Sequence, residues 1–168
     1  MKLILKELKN GINHLSFKAE GADLDIKPEE IDFASEVKMK FSVLKVGNSL
    51  NCQGEIKARL NMECSRCLTK FVQPVTSRIE FILEMDDEKI GIDTQDDDYQ
   101  FISKETISYD LNPRVREAMI LTLPIKPLCQ EDCKGLCQFC GTNLNEKTCS
   151  CSQEMVDPRW NKLKELLS

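Results

Sequence analysis

Gly54–Leu68 reads GEIKARLNMECSRCL, and two patterns meet in it. Ile56, Ala58, Leu60, Met62 and Cys64 occupy one parity, and Lys57, Arg59, Asn61 and Glu63 the other. Successive side chains of a strand point to opposite faces, so this alternation describes a sheet with one wet face. It ends in a Cys-x-x-Cys unit, Cys64 and Cys67. A thioredoxin-type Cys-x-x-Cys should open a helix after a buried strand, whereas LTKFVQPV follows here and, with Pro74, reads extended. The pair therefore points toward metal ligation more than redox catalysis.

The strand pattern extends in both directions. EVKMKFSVLKV alternates Val37, Met39, Phe41 and Val43, and GNSLN from Gly47 to Asn51 supplies a turn that folds these two strands into a hairpin. RIEFILEM alternates Ile79, Phe81, Leu83 and Met85. Three antiparallel strands in a meander form the expected centre. INHLSF and ILKEL can add edge strands, and KPEEIDFA suits a turn or short helix. From Ser108 the period changes: Leu111, Val115, Ala118, Met119 and Thr122 share a helical stripe, Pro113 fits only the first turn, and Pro124 and Pro127 end it. VDPRWNKLKELL suits a short terminal helix capped by Asp157. The expected fold is α+β: a twisted antiparallel sheet packed against a helix near 110–122, with a C-terminal cysteine-rich metal-binding loop module. Residues 1–125, including an acidic loop at 84–98, would form the main domain, and 126–168 the metal module with its helix.

A chain of 168 residues can bury a core without covalent staples. The apolar run Leu3–Leu5 is far too short for a secretory signal, and no stretch approaches the length of a membrane span. The expectation is a soluble cytoplasmic protein, where thiols stay reduced and clustered cysteines mean metal or redox chemistry. Nine cysteines, an odd number, also fit a disulfide framework poorly. Net charge is −5, but Glu84 to Asp98 holds eight acids against Lys89, which leaves the remainder slightly positive. No broadly basic footprint for phosphate shows in the composition. The acidic run suits a solvated loop or a docking strip for a basic partner.

Six cysteines crowd into CQEDCKGLCQFCGTNLNEKTCSC, Cys129 to Cys151. Cys137-Gln-Phe-Cys140-Gly141 has the form of a zinc knuckle, because glycine after the second cysteine lets the chain turn back and aim backbone amides at the sulfurs. Cys149 and Cys151 return after an eight-residue excursion, so Cys137, Cys140, Cys149 and Cys151 are the primary expected site. Cys129, Cys133, Cys64 and Cys67 make a second all-thiolate site if the chain folds back; alternatively, Cys129 or Cys133 replaces one of the Cys149–Cys151 pair in a single site. Four thiolates also suit an iron–sulfur cluster, and the knuckle glycine favours zinc. Cys52 reads as a small buried residue. A cysteine hydrolase would want a histidine, and the chain has only His14, in an amphipathic stretch.

Taken together, C-x-R-C at Cys64–Cys67, GLCQFCGTNLN from Gly135, the Cys149–Cys151 pair and DPRWNKLKELL resemble the YceD family of large ribosomal RNA subunit accumulation proteins, over about residues 45–168. The resemblance implies support of 23S ribosomal RNA accumulation and large-subunit biogenesis, and a link with a small large-subunit ribosomal protein. It supplies no catalytic residues. It marks Arg66, Arg159 and Trp160 as candidate partner-binding surface. Asp96, Asp97 and Asp98 join them on charge, with a basic large-subunit ribosomal protein or a pre-ribosomal particle as the expected partner and direct RNA binding left open. The rival expectation is a thiol-based or metal-dependent enzyme acting on RNA or protein. That would need an accessible low-pKa cysteine or an open metal position.

Overall fold

The computed structural model describes residues 1–92 and 96–151. The expected terminal helix, with Asp157, Arg159 and Trp160, lies outside the described residues. The chain divides into two compact units, one comprising Met1–Met62 with Lys70–Ile125, the other Glu63–Thr69 with the chain from Lys126 onward. The Cys64–Cys67 knuckle thus belongs to the second unit, although the strand leading into it belongs to the first.

The first unit is built on a five-stranded sheet whose spatial order follows the chain: β2 (Gly11–Ala19), β3 (Val37–Val46), β4 (Ser49–Glu63), β5 (Lys70–Met85) and β6 (Tyr99–Ile102). β2 and β3 pair antiparallel, as do β3 and β4. The hairpin between β3 and β4 is tighter than GNSLN suggests. Val46 pairs with Ser49, leaving Gly47 and Asn48 as a two-residue loop, and Gly47 has φ 58°. Glycine at the first central position suits the type II′ turn, whose twist matches that of the flanking strands.

The alternation read from the sequence is the burial pattern of the sheet. Val37, Met39, Phe41, Val43, Ile56, Ala58, Leu60, Phe81 and Leu83 are buried in one cluster. Cys52 joins them, fully buried as expected. Gly54, opposite Phe41, sits where a Cβ would come within 2.8 Å of Ile79 Cγ1 and 2.9 Å of Phe41 Cδ2. Its missing side chain lets those two close over β4. Pro74 costs β5 little, because β6 pairs only with Ile82–Met85 and Pro74 lies where β5 is still an edge.

The expectation of an antiparallel sheet needs correction: the sheet is mixed. β6 runs parallel to β5, Ile82 pairing with Tyr99 and Met85 with Ile102. Parallel neighbours need a crossover, and the acidic stretch supplies the chain for it. Four residues, YQFI, are too short to show a period, so the strand is invisible to pattern reading. The acidic stretch is also less of a free loop than its composition suggests. Glu84 lies within β5. At the far end Arg114 donates to Asp98 Oδ1 at 3.2 Å and to the Asp97 carbonyl at 2.9 Å, while its guanidinium stacks 4.3 Å from the Phe81 ring.

β1 (Lys2–Ile4) and β7 (Ser108–Asp110) form a separate antiparallel pair. β7 leads into α1 (Asn112–Thr122), which has Pro113 in its first turn. Leu111, Val115 and Met119 are fully buried and belong to the same cluster as the inner sheet face, and Ser77 Oγ on β5 donates to the Ala118 carbonyl at 3.1 Å. Among the described residues no helix is long and apolar enough to cross a membrane.

Candidate metal centre

Eight of the nine cysteines gather in two groups of four within the second unit. Cys64, Cys67, Cys129 and Cys133 form one, Cys137, Cys140, Cys149 and Cys151 the other, and in each the sulfurs all lie within 4.8 Å of one another. Either group could hold a metal ion. A tetrahedral ion with metal–sulfur bonds of about 2.3 Å sets its sulfurs about 3.8 Å apart. Cys64 and Cys133 stand at 3.7 Å and Cys67 and Cys129 at 3.6 Å, so two pairs of the first group stand at that spacing.

Both groups rest on the same knuckle. In Cys64–Thr69, the Cys64 amide donates to the Thr69 carbonyl at 3.0 Å and the Leu68 amide to the Cys64 carbonyl at 3.0 Å. In Cys137–Thr142, the Cys137 amide donates to the Thr142 carbonyl at 2.8 Å and the Gly141 amide to the Cys137 carbonyl at 2.9 Å. The residue after the second cysteine is left-handed in each: Gly141 at φ 71° and Leu68 at φ 59°. Glycine takes this conformation freely, whereas leucine is strained there. Two residues after each second cysteine, a threonine hydroxyl meets the sulfur: Thr69 Oγ1 lies 3.3 Å from Cys67 Sγ, and Thr142 Oγ1 3.2 Å from Cys140 Sγ. The repeat is legible once looked for, as CSRCLT against CQFCGT.

GTNLN, Gly141–Asn145, serves both groups. Thr142 faces Cys140, and the Asn143 side-chain amide donates to Thr69 Oγ1 at 3.4 Å, beside Cys67. The Asn145 amide donates to Cys133 Sγ at 3.3 Å, while Asn145 Oδ1 accepts from the Lys134 amide at 2.8 Å. Hydrogen bonds to thiolate sulfur orient the ligand and stabilise its charge, so Thr69, Thr142 and Asn145 complete the sites, with Asn143 holding the Thr69 hydroxyl. Sequence reading did not single these four out, because their roles depend on which sulfurs come within reach.

Arg66 lies inside the first knuckle. Its guanidinium donates to the Cys133 carbonyl at 2.8 Å and its own carbonyl accepts from the Leu136 amide at 3.2 Å. Gly135, at φ 76°, passes so close that a Cβ would stand 3.1 Å from the Arg66 carbonyl oxygen. These bonds brace Glu63–Thr69 against the segment carrying Cys133. Arg159 and Trp160 lie outside the described residues; Asp97 and Asp98 are held by Arg114, and Asp96 Oδ1 accepts from the Asp98 amide at 3.0 Å.

Crowding four thiols divides their protons unequally. Burial pushes Cys64 up, but the amides of Cys129, Cys67 and Arg66 outweigh it and bring the thiol down to about 6. Hydrogen bonding to Thr142 brings Cys140 to about 6. In compensation Cys129 is pushed up to about 12 by burial and by its bond to Cys67, and Cys151 to about 12 by its bond to Cys140. Four neighbouring sulfurs cannot all ionise unaided, and a divalent cation would supply the missing charge. The donor set is all sulfur, which suits zinc or an iron–sulfur cluster over hard cations. Cys52 stands apart, its thiol pushed up to about 12 by burial.

Comparison with known proteins follows the same stretch of chain. The family described as large ribosomal RNA subunit accumulation protein YceD matches residues 52–167. The chain belongs to the YceD family. An uncharacterized protein of Mycobacterium tuberculosis is 33% identical over 141 residues, covering 82% of this chain and 65% of its own length. A chloroplastic YCED homolog 1 of Arabidopsis thaliana, named as a large ribosomal RNA subunit accumulation protein, is 22% identical over 189 residues, covering 98% of this chain and 59% of its own length. The chain thus spans less than two thirds of the length of either relative. No solved structure matches. The family's description names accumulation of the large ribosomal RNA.

Proposed function

We propose that this protein is a non-catalytic cytoplasmic factor that supports accumulation of 23S ribosomal RNA and assembly of the large ribosomal subunit, held in shape by two zinc ions. One zinc binds Cys64, Cys67, Cys129 and Cys133, the other Cys137, Cys140, Cys149 and Cys151. The observation that carries the reading is the pairing of family membership with two groups that each offer four sulfurs. Four protein thiolates fill a tetrahedral zinc and leave no position for water or substrate, so such an ion holds structure. Both knuckle leucine and glycine, both threonines and Asn145 then serve ligand placement. The partner is a basic large-subunit ribosomal protein or the pre-ribosomal particle that carries it, attracted over distance by Glu84 to Asp98. Residues 1–125 and 126–168 act as body and metal module, with the knuckle at Cys64–Cys67 contributed by the body's sequence.

The test is complementation. A bacterial strain lacking its own family member should regain 23S ribosomal RNA when this chain is expressed, and should regain less when Cys64 and Cys137 are both changed to serine. Full recovery with neither site able to load metal would defeat the zinc part; no recovery with the intact chain would defeat the role itself. Rapid alkylation of a cysteine in the zinc-loaded protein, with loss of 23S recovery, would favour thiol chemistry instead.

A further inference from the structure

The composition shows no basic footprint, yet the register of the sheet builds one. On the exposed face of β2, β3 and β4, Lys18 pairs directly with Lys38, and Lys38 directly with Lys57. Three ammonium groups therefore stand in one row across three adjacent strands, with side chains 66%, 61% and 57% exposed. Like charges directly opposite each other destabilise a sheet. Among the described residues two carboxylates relieve the row: Glu36 reaches Lys18 at 3.4 Å and Lys38 at 3.6 Å, and Glu55 reaches Lys57 at 2.8 Å.

The same face carries more positive charge. Lys40 and Arg59 follow two residues after Lys38 and Lys57, and Arg78 lies on β5; all three are exposed, and Glu55, which is bonded to Lys57, stands directly opposite Lys40. Lys40 and Arg78 line a groove of about 630 Å³ together with His14, Gly54, Glu55 and Glu80. A second hollow of about 260 Å³ is lined by Lys38, Lys57 and Arg59. Neighbouring strands lie about 5 Å apart and alternate residues about 7 Å, so the six bases form a lattice of positive points on a rigid support. Glu80, inside the same groove, is occupied by a 2.9 Å bond from Gln53.

We propose that this exposed sheet face binds the phosphate backbone of RNA, with the Lys18–Lys38–Lys57 row as its centre and Lys40, Arg59 and Arg78 as its flanks. The inference rests on the proposed role in ribosomal RNA accumulation and goes beyond it, since that role assigns no surface to RNA. The regularly spaced charge of this surface positions a backbone and gives little sequence preference. A polyanion would also remove the repulsion that the lysine row stores. The acidic stretch and the basic face then serve different components of one ribonucleoprotein.

The experiment measures anisotropy of a labelled 23S ribosomal RNA fragment over a series of salt concentrations, with the zinc-loaded full chain. Wild type should bind with a steep salt dependence. K18Q/K38Q/K57Q should bind at least about 10-fold more weakly, with the salt slope reduced by about 2–3, since each lost phosphate contact contributes roughly 0.7–0.9 to it. Its melting temperature should stay the same or rise, because the substitutions relieve repulsion; that separates loss of binding from loss of fold. D96N/D97N/D98N should leave RNA affinity intact while slowing association with a basic ribosomal protein, so this surface and the proposed protein contact fail separately. Wild-type affinity in the triple glutamine variant, full 23S recovery by that variant in cells, or displacement of RNA by polyglutamate as readily as by unlabelled RNA would each overturn the proposal.

Discussion

The two cysteine groups share a knuckle but not a context. Cys64, Cys67 and Cys133 are buried and Cys129 is partly so, whereas in the second group Cys137 alone is buried, Cys140 is exposed and Cys149 and Cys151 are half-buried. The first group also draws on two distant pieces of chain, the strand end at Cys64–Cys67 and the loop at Cys129–Cys133. The second is contained between Cys137 and Cys151. Closing a long loop costs more entropy than closing a short one, and burial removes the sulfurs from water, so the first site has more to hold and more to lose. One local motif thus serves as a clasp between remote segments and as a staple within a loop. The comparison teaches that the knuckle fixes the placement of the sulfurs, while tertiary context decides what a metal bound there would support.

The comparison can be broken most directly by removing one pair of ligands at a time. Changing Cys64 and Cys67 to serine should lower the metal content from two ions to one and expose the segment around Cys129–Asn145 to protease. Changing Cys137 and Cys140 should also remove one ion, but should leave the Leu136 amide, which donates to the Arg66 carbonyl, protected from hydrogen exchange. Native mass spectrometry with limited proteolysis reads both outcomes. Equal damage from the two pairs would erase the distinction.

A smaller effect is expected where the clasp meets its partner segment. Gly135→Ala places a side chain at φ 76° and 3.1 Å from the Arg66 carbonyl oxygen. It should cost about 1–3 kcal/mol in denaturant unfolding of the zinc-loaded protein. Gly141→Ala, at φ 71° with open space around it, should cost about 1 kcal/mol, since only the backbone conformation opposes it. A Gly135 variant as stable as the Gly141 variant would show that the close approach to Arg66 carries no weight.

Removal of the hydroxyls beside the sulfurs sharpens the comparison further. Thr69→Val and Thr142→Val should each weaken metal affinity about 10-fold at one site only, as loss of a ligand's outer partner does. Competition with a chromophoric chelator measures it. The smallest change expected is at the left-handed leucine: Leu68→Gly should stabilise the first knuckle by up to about 1 kcal/mol, because the strain exceeds the backbone freedom that glycine must give up. A loss of stability there would mean that the exposed Leu68 side chain makes a contact of value.

Much of this was legible along the chain. The alternation around Ile56, Ala58 and Leu60 determined strands with one wet face, because side-chain direction is set residue by residue. The Cys-x-x-Cys units with their following leucine or glycine, the helical stripe from Leu111 to Met119 and the buried fate of Cys52 are equally local. What the tertiary structure alone decided are matters of register and of return. Tyr99–Ile102 became a parallel strand because Ile82–Met85 offered a free edge, not because of a pattern of its own. Cys64 and Cys133 meet because the chain returns after a long excursion, and spacing in the sequence had left their grouping open. Asn145 reaches a sulfur only once that return has happened. Lys18, Lys38 and Lys57 are scattered among acids in a chain of net charge −5, and they become a row only when three strands align. Composition averages charge over the whole molecule, whereas a sheet sorts it by face and by register.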